Sequence, residues 1–284
     1  MPKILHLSDL HFGAHDPIIV EALEARLDRE QAELVVISGD FTQRARTEEF
    51  KEACDFLTRV RDAGHDVLAV PGNHDVPLYD VLRRFMSPLT RYKKYIDDQV
   101  CPFIQIDGAA VLGINTARSF TFKNGHVSHE QMAFIEETFS KTDPHMPRIL
   151  VTHHPLFALP VGEGGAVSHL MDDQIDALEA IADAGVDLLL AGHNHLASVD
   201  DATKLVKGAG KALVVQAGTA TSTRVRGAVQ SFNRIEIDDK GCTVTILGWN
   251  GSEFMAGDAQ KFERHGEQWE LSGTGEKVEE APAT

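Results

Sequence analysis

Five times in the first two hundred residues a short apolar run stops abruptly at a cluster of Asp, His or Asn. "KILHLS" leads into Asp9 and His11, "LVVIS" into Asp40, and "DVLAV" into Asn73, His74 and Asp75. "RILVT" leads into His153 and His154, and "LLLA" into His193 and His195. Apolar runs of this length fit buried strands. Helical spacing lies between them. Residues 17–31 carry Ile18, Ala22, Ala25 and Leu27, and residues 46–62 carry Phe50, Ala53, Phe56, Leu57 and Val60. This alternation predicts an α/β sandwich with a largely parallel core. Open α/β sheets gather ligands beyond the carboxyl ends of their strands, which is where all five clusters fall.

Residues 77–98, "PLYDVLRRFMSPLTRYKKYIDD", interrupt the alternation. They predict two short helices split at Ser87-Pro88, a helical cap insertion placed to overhang the loop of His74. Leu78, Tyr79, Leu82 and Phe85 share helical spacing, so their face is expected either to pack on the core or to screen substrates. Ser128 and Gln131 make a capping-box pattern at the start of a further helix, and residues 172–184 read as another. After residue 197, "ALVVQAG", "SFNRIEID" and "CTVTILGW" read as strands of a second, mostly antiparallel sheet, with a hairpin at Asp239-Lys240-Gly241. The expected organisation is one domain over residues 1–265 and a polar, disordered tail over 266–284.

Asp, His and Asn side chains offer the oxygen and imidazole donors that suit Mn, Fe, Zn, Co or Ni. Asp-x-His and His-x-His would set both donors on one side of an extended segment. By the same alternation His154 and Asn194 would point away. Cys54, Cys101 and Cys242 are the only cysteines and none belongs to the clusters, which argues against a structural zinc site. The donors are too many for one ion. A two-metal centre fits, and the lone carboxylate of Asp40 is suited to bridging it.

The net charge of −16 repels a nucleic-acid backbone, making nucleic acid an unlikely partner, but places no bar on a small phosphorylated substrate. No apolar stretch reaches the length of a membrane span, and the thiols suit a reducing compartment. A cytoplasmic protein is expected, with monomer and homodimer both open. Arg118, Arg224, Arg226, Gln43 and Arg44 are candidates to face a substrate, with surface salt bridges as the alternative for the arginines.

The assembled motifs, "DLH" 9–11, "GD" 39–40, "GNHD" 72–75, the first His of "HHP" at 153 and "GHNH" 192–195, resemble those of the calcineurin-like metallophosphoesterase family. The resemblance runs from about residue 3 to 250, and is strongest to bacterial class III cyclic-nucleotide phosphodiesterase-type proteins. It implies a four-layer α/β/β/α sandwich of two mixed β-sheets flanked by helices, the metallo-dependent phosphatase fold. It implies one metal on Asp9, His11 and His195, another on Asn73, His153 and His193, and Asp40 between them. His74 would be the catalytic acid, with Asp75 beside it to orient or charge the imidazole. The implied reaction is hydrolysis of a small phosphodiester by a hydroxide bridging the metals, 3′,5′-cyclic AMP being one candidate. Three alternatives stay open: a nucleotide-linked lipid precursor pyrophosphatase, a nuclease and a non-catalytic scaffold. In the first of these, Arg usually stands where this chain has His74.

Overall fold

Neighbouring side chains of the central strands feed different cores, and this sets the layering. In β2 (Leu34–Ile37), Leu34 and Val36 enter one apolar cluster while Val35 and Ile37 enter another. A strand buried on both faces must be apolar throughout, which explains why these runs show no polar alternation. The computed structural model describes residues 2–119, 124–156, 174–202, 211–225, 227–238, 240–266 and 268–275.

Two mixed sheets result. The first has the order β13 (Gln268–Gly275), β12 (Phe254–His265), β11 (Gly241–Trp249), β10 (Ser231–Ile237), β1 (Lys3–Leu7), β2, β3 (Asp66–Ala69). The second has the order β4 (Phe103–Ile106), β5 (Ala109–Gly113), β6 (Arg148–Val151), β7 (Leu188–Ala191), β9 (Leu213–Gln216), β8 (Ser198–Asp201). β1, β2 and β3 are parallel, as are β5, β6, β7 and β9. Ile4, Val36 and Leu68 of the first sheet meet Val111, Ile149 and Leu190 of the second in a shared core. Helices α1 (Pro17–Glu30) and α2 (Thr47–Asp62) cover the first sheet, and α5 (His129–Ser140) and α6 (Gln174–Asp183) cover the second. This is the α/β/β/α sandwich that the resemblance implies.

Three sequence expectations need correction. The strands after residue 197 do not form a sheet of their own. β9 joins the second sheet beside β7, while β10 pairs antiparallel with β1 and leads β11–β13 onto the first. Strand periodicity marks a strand but does not name its neighbour. The polar tail does not begin at 266, because residues 268–275 form β13 against β12. Trp269 anchors that strand: it is buried, its backbone N–H donates to Asp201 Oδ2 at 2.9 Å, and its indole donates to the Lys211 carbonyl at 2.7 Å. In α1 the buried side is Ile19, Val20, Leu23, Arg26, Leu27 and Glu30, while Ile18 is exposed. An Arg26–Glu30 ion pair at 2.7 Å makes this polar stripe buriable, and apolar periodicity could not reveal it.

α2 buries Phe50, Ala53, Phe56, Leu57 and Val60, as its spacing predicts. Residues 77–98 do split into two helices, α3 (Val81–Met86) and α4 (Thr90–Tyr95), with Ser87 capping the first. Their fates differ. In α4, Tyr92 is fully buried and Tyr95 stacks on Phe50 with ring centroids 6.4 Å apart. In α3, Val81, Leu82, Phe85 and Met86 all face outward, as do Leu78 and Tyr79 before it. The expected packing of Leu78, Tyr79, Leu82 and Phe85 on the core therefore does not occur. α3 is tied down through Arg84, which donates to the carbonyls of Pro77 and Ser119. Cys54, Cys101 and Cys242 are free thiols. Among the described residues no helix is long and apolar enough to cross a membrane.

Candidate metal centre

The carboxyl ends of β1, β2, β3, β6 and β7 meet along the seam between the two sheets, and the five polar clusters arrive there together. The backbone makes the turn by an unusual route. Asp9, His11, Asp40, His193 and His195 all adopt positive φ, between 50° and 72°. Left-handed conformations cost non-glycine residues of order 1–3 kcal/mol each and persist only where the surroundings impose them. Side-chain alternation is therefore not what aligns Asp9 with His11 or His193 with His195. Two left-handed turns do so, and they leave Leu10 in the core between the first pair.

Glycines make room for this approach. Gly39 has φ of +93°, and a Cβ there would lie 2.6 Å from His153 Nδ1. A Cβ on Gly72 would overlap the Asp40 carboxylate.

The donor atoms fall into two groups joined at Asp40. In the first, Asp9 Oδ1 lies 3.1 Å from His195 Nε2 and 3.4 Å from His11 Nε2, and His11 Nε2 lies 3.6 Å from Asp40 Oδ2. In the second, Asn73 Oδ1 lies 3.0 Å from His153 Nε2 and 3.1 Å from His193 Nδ1, and His153 Nε2 lies 3.5 Å from Asp40 Oδ1. One oxygen of Asp40 thus serves each group. Metal–ligand bonds of about 2.0–2.1 Å would separate tetrahedral donors by roughly 3.3 Å, so the spacing fits two ions.

The protein's own bonding leaves these atoms without better partners. Ser8 Oγ and the His193 backbone N–H both donate to Asp9 Oδ2, while Oδ1 is buried with no hydrogen bond. His153 Nδ1 donates to the Ser38 carbonyl at 2.7 Å, and His195 Nδ1 to the Arg224 carbonyl at 3.0 Å. Both rings therefore carry a proton on Nδ1 and turn Nε2 toward the cluster, the usual outer-shell arrangement of a metal-binding histidine. His11 Nε2 and His195 Nε2 face each other at 3.3 Å. Such a pair of facing ring nitrogens could hold a cation.

The charges agree. Burial alone would raise the Asp9 carboxyl, but the imidazoles of His195, His11 and His153 hold it well below the usual range. Asp40 is likewise lowered, burial being outweighed by His153, His74 and His11. Burial lowers His11, against the pull of Asp9 and Asp40.

His74 sits at the edge of the cluster, its ring centroid 4.8 Å from that of His11. Its backbone N–H donates to Asp40 Oδ1 at 2.8 Å. Its Nδ1 lies 2.8 Å from the Gln43 carbonyl, which can only accept, so the ring is held with Nδ1 protonated. Asp75 does not touch this imidazole, contrary to expectation. Its carboxylate accepts from the N–H groups of Phe41, Thr42 and Gly72 and from the Thr42 hydroxyl, at 2.9–3.2 Å. It pins the Asp40 loop to the Gly72 turn. Burial and the charge of Asp40 push its carboxyl up to about 7, against those backbone donors.

Of the other candidates, Arg118 donates to Gln131 within the α5 cap and Arg44 is exposed. Gln43 contributes its carbonyl, and Arg226 lies outside the described residues. His154 does not point away: its ring centroid is 4.7 Å from that of His193, and Nδ1 is 2.9 Å from Thr116 Oγ1. Asn194 turns to Gln216 at 3.0 Å. A cavity of about 230 Å³ opens over the cluster, lined by Asp40, His74, His193, His195, Arg224 and Val225. No residue of 77–98 is among them.

Sequence reasoning missed the hydroxyls behind the cluster. Thr219 and Thr221 donate to the carbonyls of Asp9 and Leu10, holding the β1 turn in place. The run "TATST" at 219–223, small and polar between two strands, was the available signal.

A family model described as calcineurin-like phosphoesterase matches residues 2–197. The DNA double-strand break repair protein Mre11 of Aeropyrum pernix is 31% identical over 93 residues, which is 27% of this chain and 22% of that protein. The chain thus spans about a fifth of the length of that curated relative. Among solved structures, a dimetal phosphatase from Danio rerio is 14% identical with a TM-score of 0.59, over 90% of this chain and 98% of that one. A purple acid phosphatase from yellow lupin (Lupinus luteus) seeds is 13% identical with a TM-score of 0.63, over 90% and 52%. At these identities the two structures share the fold.

Proposed function

The chain belongs to the calcineurin-like phosphoesterase family, and from that premise we propose that it is a dinuclear metal-dependent phosphodiesterase acting on a small phosphodiester. 3′,5′-Cyclic AMP is one candidate. The observation that carries this reading is the division of the Asp40 carboxylate between two donor groups, one oxygen to each.

Asp9, His11 and His195 would hold one ion, Asn73, His153 and His193 the other, and Asp40 both. When bound, such a pair supplies a water ionised near neutral pH and neutralises phosphoryl oxygens. The protein's own part is orientation and proton transfer. Asp75 fixes the Asp40 loop against the Gly72 turn, so the bridging carboxylate and the His74 backbone move as one unit. The Gln43 carbonyl keeps the proton of His74 on Nδ1, which leaves Nε2 as the atom that gains or loses one. Protonated there, His74 can donate to a departing alkoxide, the step that a poor leaving group needs most.

The test is turnover by one metal-defined preparation across cyclic nucleotides, bis(p-nitrophenyl) phosphate, glycerophosphodiesters, nucleotide diphosphates and p-nitrophenyl phosphate. Diesters should be cleaved fastest. His74→Ala should lower turnover by about 10²–10⁴-fold for alkyl leaving groups and less for p-nitrophenyl. Equal losses for both would argue against the acid role. A second reading, a nuclease, is favoured by the partial match to Mre11. The net charge of −16 opposes it. Degradation of a single-stranded oligonucleotide faster than any small diester would favour the nuclease.

A further inference from the structure

Arg224 stands in a place where an acidic protein would ordinarily neutralise a cation. Asp and Glu outnumber Lys and Arg by 43 to 27, and among the described residues several arginines, though not Arg44 or Arg61, have found side-chain partners. Arg26 and Arg234 pair with Glu30, Arg59 with Glu24, and Arg264 with Asp187. Among the described residues the Arg224 guanidinium has neither an ion pair nor a hydrogen bond. Arg224 is exposed, and it lines the cavity together with the ligand residues Asp40, His193 and His195 and with His74.

The loop that carries it is not free to wander. Its carbonyl receives the Nδ1 proton of His195 at 3.0 Å, and its N–H donates to Ser222 Oγ at 3.1 Å. The backbone of Arg224 therefore helps to aim a metal-binding histidine while its side chain is left unassigned. At about 230 Å³ the cavity is smaller than the roughly 300–1,000 Å³ usual for ligand pockets. A cavity this small keeps a group on its wall close to whatever occupies it. A guanidinium presents paired donors that match phosphate oxygens, and it stays charged at every working pH.

We infer that Arg224 is a phosphoryl-binding residue, which holds an oxygen of the anionic ester from the wall of the cavity. The inference rests on the phosphoesterase reading and adds to it a source of affinity supplied by the protein itself. An exposed cation of this kind binds substrate and transition state about equally. Its loss should appear in KM and leave kcat nearly unchanged.

The test compares wild type, Arg224→Gln and Arg224→Lys, each metal-loaded. Arg224→Gln should raise KM for bis(p-nitrophenyl) phosphate about tenfold, with kcat within about twofold, a loss equivalent to about 1.4 kcal/mol. The inhibition constant of inorganic phosphate should rise by a similar factor, and Arg224→Lys should fall between. Wild-type KM should rise with ionic strength, and that of Arg224→Gln should stay nearly flat. Both variants keep the carbonyl that orients His195, so metal content and Tm should not move. An unchanged KM and phosphate constant would overturn the inference. A rise in KM accompanied by loss of metal or of Tm would also overturn it, since the role would then be structural. If wild type cleaves none of the esters, the function proposed above fails, and calorimetric titration with inorganic phosphate still decides on Arg224. Weaker phosphate binding by Arg224→Gln would uphold the inference, and equal binding would end it.

Discussion

Asp9, His11 and His153 are sealed from solvent in the candidate metal cradle, whereas Tyr79, Leu82 and Met86, a few residues past His74, are 76%, 72% and 77% exposed. Both regions break the rule that sorts polar side chains outward and apolar ones inward, and they break it in opposite directions. In the cradle most inversions have a physical partner. Ser8, Ser38 and the carbonyl of Arg224 satisfy one side of Asp9, His153 and His195, and the atoms left over converge. The helical segment has no such logic at its outer face. Its anchors are Arg84 to three carbonyls, Arg91 to the Ala45 carbonyl, and Tyr92 in the core beside Phe41. The lesson is that an exception to burial carries functional meaning when its unsatisfied atoms point at one another. Exposed apolar side chains that share no focus do not carry that meaning.

The largest expected effect is at the centre of the cradle. Among the described residues, Asp40→Ala removes the carboxylate shared by both donor groups. Turnover should fall below that of His74→Ala, and bound metal below two ions per chain, measured by elemental analysis after dialysis. Retention of both ions with near-normal turnover would mean that Asp40 does not join the two donor groups.

Asp75→Asn sharpens the comparison, because Asp75 is a buried carboxylate that serves the backbone instead of the metals. Its Oδ2 accepts from Phe41 and Gly72. An amide NH₂ in that place would leave two buried donors without an acceptor, at about 1–3 kcal/mol each. A loss of about 3 kcal/mol is expected in denaturant unfolding, with activity falling as the Asp40 loop loosens. A stability change under about 0.5 kcal/mol would show that the carboxylate does not pin the loop.

His6 lies beneath the cradle on β1, bonded to Ser38 Oγ at 2.9 Å. Burial, opposed in part by Asp9, lowers it from 6.5 to about 3. The unfolded chain takes up this proton first as pH falls. The stability due to neutral His6 is therefore complete above about pH 6.5 and is lost progressively toward pH 3. By pH 5 the loss is about 2 kcal/mol. His6→Asn should make the decline in Tm between pH 7 and 5 shallower than in wild type. Parallel declines would mean that His6 is not the proton acceptor.

The smallest effect is expected at α3. Leu82→Ser and Met86→Ser should each change stability by less than about 0.5 kcal/mol, since neither side chain leaves water on folding. A loss above about 1.5 kcal/mol in chemical denaturation would show that this face is covered in solution.

The sequence made the cradle legible because its signal is redundant. Five apolar runs end in donor residues, and the parallel order of the strands brings those ends to one edge. It was less informative about the means of convergence. Left-handed φ at Asp9, His11 and Asp40 cannot be read from residue type, since Asp and His favour it over other residues yet adopt it in only a small minority of cases. Strand pairing was hidden for the same reason. Nothing local in "SFNRIEID" says that Ile235 will lie beside Ile4. Asp75 shows the limit most plainly. Its place next to His74 suggests a partner for the imidazole, yet its side chain turns the other way, toward three backbone N–H groups. Neighbours in sequence at a tight turn face different directions, and only the fold says which.

The account stands on two cations sharing Asp40. The most direct measurement is the metal content of wild-type protein, stripped with chelator, reloaded with Mn(II) and dialysed free of excess. Two ions per chain are predicted, falling to one or fewer in Asp40→Ala. One ion or none in wild type at saturation would contradict it.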